Sequence, residues 1–258
     1  MKYIFSSKIA LTLIFITSLS LRSIAQDDEP LKNFRFGLRV TPEVSWMKPG
    51  DKKRLDGAGA KFKLGYALMT EFRLNKVVSL ATGLGFEKNG GSLNYTDTAY
   101  YYFKENPLKI NTSDSTAELF QLKKRNSSIA YWAIPITLKM RTKEIGVMTY
   151  FGQVGLNVGF RTKAIAKDEV RSSKKTTSTI DDNNVSSDMS IFKASVNIGA
   201  GAEYNLAGST SLVISINYLN GLTNISKAKS DYLFKKDGSA YKQKFTNNGV
   251  ALTVGVLF

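Results

Sequence analysis

The stretch Phe192-Lys-Ala-Ser-Val-Asn-Ile-Gly-Ala-Gly-Ala-Glu-Tyr204 decides the fold. Its even-numbered residues are Phe, Ala, Val, Ile, Ala, Ala and Tyr. Its odd-numbered residues are Lys, Ser, Asn, Gly, Gly and Glu. A period of two belongs to a strand, because a helix advances about 100° per residue and would scatter these residues around its surface. Seven further segments keep the same phase: 34–46, 62–74, 78–86, 132–140, 148–160, 212–218 and 250–258. The exceptions on the even face are Pro42, Thr70, Thr82 and Gly152, and none is charged.

The odd face separates two kinds of barrel. It carries charges such as Arg39, Glu71, Lys139 and Glu203, and between them small residues such as Gly83, Gly85, Gly155, Gly159, Ser195 and Gly199. A soluble barrel is apolar inside, and its outer surface has no reason to be rich in glycine. A membrane barrel is apolar outside, and with eight strands its lumen barely holds side chains. Small odd residues therefore mark the lumen, and the apolar even face meets lipid. Segments that alternate for 12–14 residues exceed the ~9–11 a tilted spanning strand needs.

Connector lengths agree. Three are short, around 75–76, 142–146 and 205–210. Four are long, at 48–60, 88–128, 162–190 and 223–246. Aromatics fall at the segment ends, with Trp46, Phe62, Phe86, Trp132, Phe160, Phe192 and Tyr218 on the long-connector side. Phe34, Phe36, Phe72, Tyr150, Tyr204 and Phe258 lie on the other. Rings that are apolar with a polar edge favour the headgroup level, so two interfacial belts are expected.

The expected architecture is all-β: an eight-stranded antiparallel up-and-down transmembrane β-barrel over 34–258, preceded by a cleaved signal peptide. The leader is read at 1–25, from Lys2 and Lys8, an apolar run of about 13 residues and Ser23-Ile-Ala25. A periplasmic segment, 26–33, would follow it. The expected location is the outer membrane, with both termini periplasmic and the long connectors outside.

Composition narrows the chemistry. The 258 residues include no Cys and no His. That excludes disulfides, thiolate metal sites, cysteine nucleophiles, Ser-His-Asp triads and histidine acid–base catalysis. The net charge is +15, and loss of Lys2, Lys8 and Arg22 with the leader takes it to +12. On an exported chain, basic loops such as 223–246 face phosphates of lipopolysaccharide and not nucleic acid. Gly83-x-Gly85 and Gly199-x-Gly201 sit within strands and open no helix, so they are not phosphate loops.

Candidate functional residues fall into three groups. Arg39, Glu43, Glu71, Glu87, Lys139 and Glu203 share the lumenal face, where pairing of opposite charges would plug the barrel. Phe258, a terminal aromatic after alternating apolar residues, fits the signal read by the barrel-assembly machinery. Tyr100, Tyr101, Tyr102 and Phe103 with Lys235 and Lys236 are loop residues suited to contact a partner, or in the aromatic case to fold over the barrel mouth. No catalytic, metal or cofactor site is expected.

Three stretches carry a family resemblance: Tyr131-Trp-Ala-Ile-Pro-Ile-Thr-Leu-Lys139, Tyr218-Leu-Asn-Gly-Leu-Thr-Asn-Ile225 and Asn248-Gly-Val-Ala-Leu-Thr-Val-Gly-Val-Leu-Phe258. With them the chain resembles the PorT-like outer-membrane β-barrel family of Bacteroidota. Ala133 stands where that family usually has an acidic residue. The resemblance implies an eight-stranded barrel, and the namesake's tie to type IX secretion suggests envelope or secretion partners. The functional expectation is a plugged barrel with a structural or interaction role through its outer loops. An outer-membrane enzyme acting on lipid or protein, or a narrow solute or ion pore, are the alternatives.

Overall fold

The computed structural model describes residues 33–96, 99–101, 120–172, 176–208, 210–235 and 237–258. The expected signal peptide and the segment 26–32 lie outside them. In chain order the strands are β1 (Phe34–Pro49), β2 (Leu55–Gly59), β3 (Lys61–Arg73), β4 (Val78–Tyr95), β5 (Tyr100–Tyr101), β6 (Phe120–Arg141) and β7 (Met148–Ser172). There follow β8 (Thr177–Asn184), a 3-10 turn at Ser186–Asp188, β9 (Phe192–Ala207), β10 (Thr210–Gly221), β11 (Lys229–Phe234), β12 (Ala240–Lys242) and β13 (Phe245–Leu257).

Eight of these close a ring. β1 pairs β3, β3 pairs β4, β4 pairs β6, β6 pairs β7, β7 pairs β9, β9 pairs β10, β10 pairs β13 and β13 returns to β1. Every pairing is antiparallel. Closure leaves the spanning part of the sheet without an edge, which a bilayer demands because it offers no water to unpaired N–H and C=O groups.

The facing is as the alternation predicts. Within the ring strands, every large apolar side chain that is exposed has an even number, from Phe34 to Val254. Phe62 is 68% exposed and Ile216 62%, values that only a lipid-facing surface makes sense of. Tyr66, Phe86, Trp132, Phe160 and Phe192 lie in one register row across β3, β4, β6, β7 and β9. Neighbouring rings in that row lie within 5.5–6.0 Å where they touch, as between Tyr66 and Phe86 or Phe160 and Phe192. At the other end Phe34 meets Phe72 at 5.0 Å and Phe36 meets Phe258 at 5.8 Å. Phe62 and Phe72 are separated by ten positions on β3. At ~3.3 Å per residue and ~40° tilt this puts the belts about 25 Å apart, the height of the apolar band of such barrels.

Turns at one end are tight. Asn75 Oδ1 accepts the N–H groups of Val77 and Val78 at 2.8 and 2.7 Å, closing the β3–β4 turn. Gly146 and Gly208 have φ of 65° and 56° in the other two turns, where a side chain would be strained. β1 begins and β13 ends at this same end, tied by Phe258 N–H to Phe36 O at 2.8 Å.

The opposite end departs from the sequence reading. Among the described residues, the connectors read as long loops are largely strand. β4, β6 and β7 continue past the aromatic row, and β2 joins β4, β8 joins β7, β5 joins β6, β11 joins β5 and β12 joins β11. This extension has a dry core of its own. Leu55, Leu93, Leu122, Ile129, Leu233 and Phe245 are fully buried there, each worth roughly 1.5–3 kcal/mol of apolar burial. Polarity therefore inverts along the same strands: apolar outside in the membrane zone, apolar inside above it. Two bulges assist. Thr162 is the unpaired residue between the Tyr131–Arg161 and Ala130–Lys163 pairs, and Lys123 plays the same part between Leu122 and Lys124. Each bulge moves the inward face to the other parity, so Ala164, Ala166 and Val170 point in after Arg161.

Candidate functional site

The lumen is built from odd-numbered residues at three heights. Nearest the short turns, Arg35 and Glu71 come from β1 and β3, Lys139 and Arg141 from β6, and Glu203 from β9. All five are buried. Arg35 Nη2 donates to Glu203 Oε2 at 2.9 Å and to both Glu71 oxygens at 3.2 Å. Arg141 Nη2 reaches Glu203 Oε1 at 2.9 Å and also bonds Glu71, while its Nη1 donates to Ser79 Oγ at 2.9 Å. Lys139 pairs with Glu203, lies 3.4 Å from Glu71 Oε2, and sits 3.9 Å over the Phe151 ring. Three cations thus share two carboxylates.

Above this lies a cavity of about 50 Å³, lined by Arg39, Thr137, Gln153, Asn197, Ser215 and Thr253 among others. Higher still, Lys193 Nζ donates to Asn89 Oδ1 at 2.6 Å and approaches Glu87 Oε2 at 3.3 Å. Asn89 Nδ2 donates to Glu43 at 2.8 Å, and Asn157 Nδ2 to the two Glu87 oxygens at 3.1 and 3.0 Å. Small residues make room for these groups. A Cβ at Gly249, for example, would sit 2.6 Å from Glu43 Oε1.

Of the six residues expected to form one lumenal network, the structure brings Glu71, Lys139 and Glu203 into the lower cluster. Glu43 and Glu87 belong to the upper group, where Glu43 is held by an amide and makes no ion pair among the described residues. Arg39 lines the cavity between the two groups and forms no ion pair among the described residues, and its buried Nε has no hydrogen-bond partner there. The cause is height along the strand, which parity alone does not give. Arg35, Arg141 and Lys193 were on the expected lumenal face, yet their part in the clusters comes from register: Arg35 is opposite Glu71 across β1 and β3.

The extension has its own charged lock. Arg125 Nε and Nη2 donate to the two oxygens of Asp168, each at 2.8 Å, and Nη1 lies 3.6 Å from Asp188. Asp188 also accepts from Ser230 Oγ at 2.7 Å and from the Asp231 N–H at 2.6 Å. These bonds join β6, β7, the 3-10 turn and β11 across the barrel mouth. Burial pushes the Tyr95 phenol well above its ordinary range, and its hydroxyl donates to Gln243 Oε1 at 3.2 Å.

Of the expected loop contacts, Tyr100 lies half-buried in β5, opposite Gln121 and Phe234, so it is part of the extension sheet. Tyr101 follows it in β5, with its backbone opposite Phe120 and Leu233. Lys235 is half-buried and its N–H donates to Ser239 O at 2.8 Å. Tyr102, Phe103 and Lys236 lie outside the described residues. Phe258 is exposed in the belt nearest the short turns, against Phe36.

A closed ring of eight antiparallel strands with a lipid-facing apolar band and a polar lumen defines an integral outer-membrane β-barrel protein. Residues 24–227 match the family described as outer membrane protein beta-barrel domain, and the chain belongs to that family. No curated protein matches the chain. Among solved structures it is similar to OprG of Pseudomonas aeruginosa, at 9% identity and a TM-score of 0.43, covering 87% of this chain and 93% of that one. It is also similar to neisserial surface protein A, at 10% identity and 0.39, covering 86% and 95%. Ail of Yersinia pestis is similar at 13% identity and 0.35, covering 87% and 98%.

Proposed function

We propose that the protein is a sealed outer-membrane barrel that works through the extension beyond its upper aromatic belt. In this reading the short turns and both ends of the barrel chain face the periplasm, and the extension faces outward. The contrast between the two halves of the molecule carries the reading. The lumen is occupied by ion clusters around a cavity of about 50 Å³, whereas the extension is a packed and locked body that no barrel needs for closure. Ordered connectors far longer than hairpins require are usually functional.

The work so assigned is interaction: with lipopolysaccharide and with envelope proteins, in support of envelope assembly or protein secretion, as a PorT-like barrel of Bacteroidota. Phe258 serves the barrel-assembly machinery during insertion. The test is cross-linking in whole cells, comparing the full chain with a form whose 223–246 connector is cut to a short turn. Heat-modifiable gel mobility reports barrel folding. The trimmed form is expected to fold and to lose cross-linked partners. If it folds and keeps all of them, the extension is not where the protein works.

A further inference from the structure

One cleft on the extension is lined by four cationic side chains. It lies between the β1–β2 connector and the β11–β13 segment, with a volume of about 460 Å³. Arg54, Lys229, Lys242 and Lys244 line it, together with Asp51 and Gln243. The acid is already engaged: Asp51 pairs with Arg54 at 3.5 Å and accepts the Lys53 N–H at 3.0 Å. Lys229, Lys242 and Lys244 form no ion pair among the described residues. One further observation points to a missing anion. Lys229 and Lys242 stand directly opposite each other across β11 and β12, a placement that repels unless a counter-charge sits between or beside them.

Backbone bonds fix the walls. Gly50 N–H donates to Lys244 O at 2.8 Å, and Gln243 N–H to Ala228 O at 3.2 Å, so the backbone segments that carry these cations are held side by side. Lys227, next to the cleft in sequence, is already paired with Asp231 at 3.0 Å.

We propose that this cleft binds a phosphate group. A guanidinium and three ammonium groups would supply charge-assisted donors to its oxygens. The group comes either from a lipid-borne phosphate at the membrane surface or from a soluble phosphate. Only the choice between those sources rests on the outward orientation read above.

The experiment uses the full chain folded in detergent and titrated calorimetrically with inorganic pyrophosphate at low salt. Binding is expected, and it should weaken as salt rises. The Lys229→Gln/Lys242→Gln pair should lower affinity about tenfold or more, since each lost charged bond counts for at least that order. Lys244→Glu, which puts a carboxylate on the cleft wall, should abolish binding. Lys227→Gln should leave it unchanged. Heat-modifiable mobility of each variant confirms folding, so loss of affinity is not loss of structure. A parent chain that binds no pyrophosphate, or a Lys227→Gln variant as weak as the double variant, overturns the site. Detergent-dispersed lipid A then separates the sources. Lipid A competed off by pyrophosphate supports a lipid-borne group, and pyrophosphate binding without lipid A binding supports a soluble one. Because the purified chain is used, this test can fail while the cross-linking result stands, and the reverse.

Discussion

At the scale of single residues, the lower lumenal cluster has an unequal charge count, and that makes an asymmetric prediction. Arg35, Lys139 and Arg141 face only Glu71 and Glu203. Glu203→Gln would leave three buried cations on one carboxylate and should cost about 3–5 kcal/mol. Lys139→Met leaves two against two, fills a similar volume beside Phe151, and should stay within about 1 kcal/mol of the parent. Urea titration of the protein folded into vesicles, read by Trp46 and Trp132 fluorescence, would compare them; equal losses would mean that the count does not matter. On the lipid face, Val154 lies between Tyr150 and Phe160 on β7 and is 41% exposed. Val154→Arg should cost roughly 2–4 kcal/mol in the same titration. The facing of every such residue was legible in the sequence, because parity alone sets it. The partners inside were not. Arg39 and Glu87 share a face without sharing an ion pair, and Arg35 meets Glu71 only because β1 and β3 pair in the register that puts Phe34 opposite Phe72.

At the scale of elements, the eight spanning strands could be read directly and the extension could not. The reason is physical. In the membrane zone apolar residues face out on even numbers, so a single rule finds them. Above the aromatic row the surroundings are water, and the apolar residues face in: Leu93, Tyr95, Ile129 and Tyr131 are odd-numbered and buried. The bulge at Thr162 then moves β7 to the other parity, so no constant phase spans the strand. A connector that alternates in the opposite sense and then slips looks like a loop. Asp168→Ala removes both oxygens that take the Arg125 bonds joining β6 to β7 and should loosen the extension by about 3–5 kcal/mol. The expected result is an extension open to trypsin on whole cells at Lys227–Lys244, with barrel heat-modifiability retained. Leu122→Ala should act the same way, by about 2–5 kcal/mol confined to the extension. If either change abolished membrane insertion, the extension and the barrel would fold as one unit, contrary to this account. The phosphate cleft was illegible for a related reason: Arg54 and Lys242 meet only after β13 returns beside β1.

At the scale of the whole molecule, a barrel wall whose residues are all accounted for carries a head whose residues are not. Lipid takes one face of the barrel, ion clusters and amides take the other, and what remains is the packed body above the belt. The sealed lumen is the claim on which this division depends. With eight strands the interior is filled by side chains, and here Arg35, Glu71, Lys139, Arg141 and Glu203 stand across it near the short turns. Single-channel recording of the refolded protein in a planar bilayer tests this most directly. The account predicts a silent bilayer, with no stable conductance steps, for the parent chain and for Lys139→Met alike. Sustained, ion-selective steps in the parent, altered by Lys139→Met or Glu71→Gln, would contradict it and make the lumen a pore.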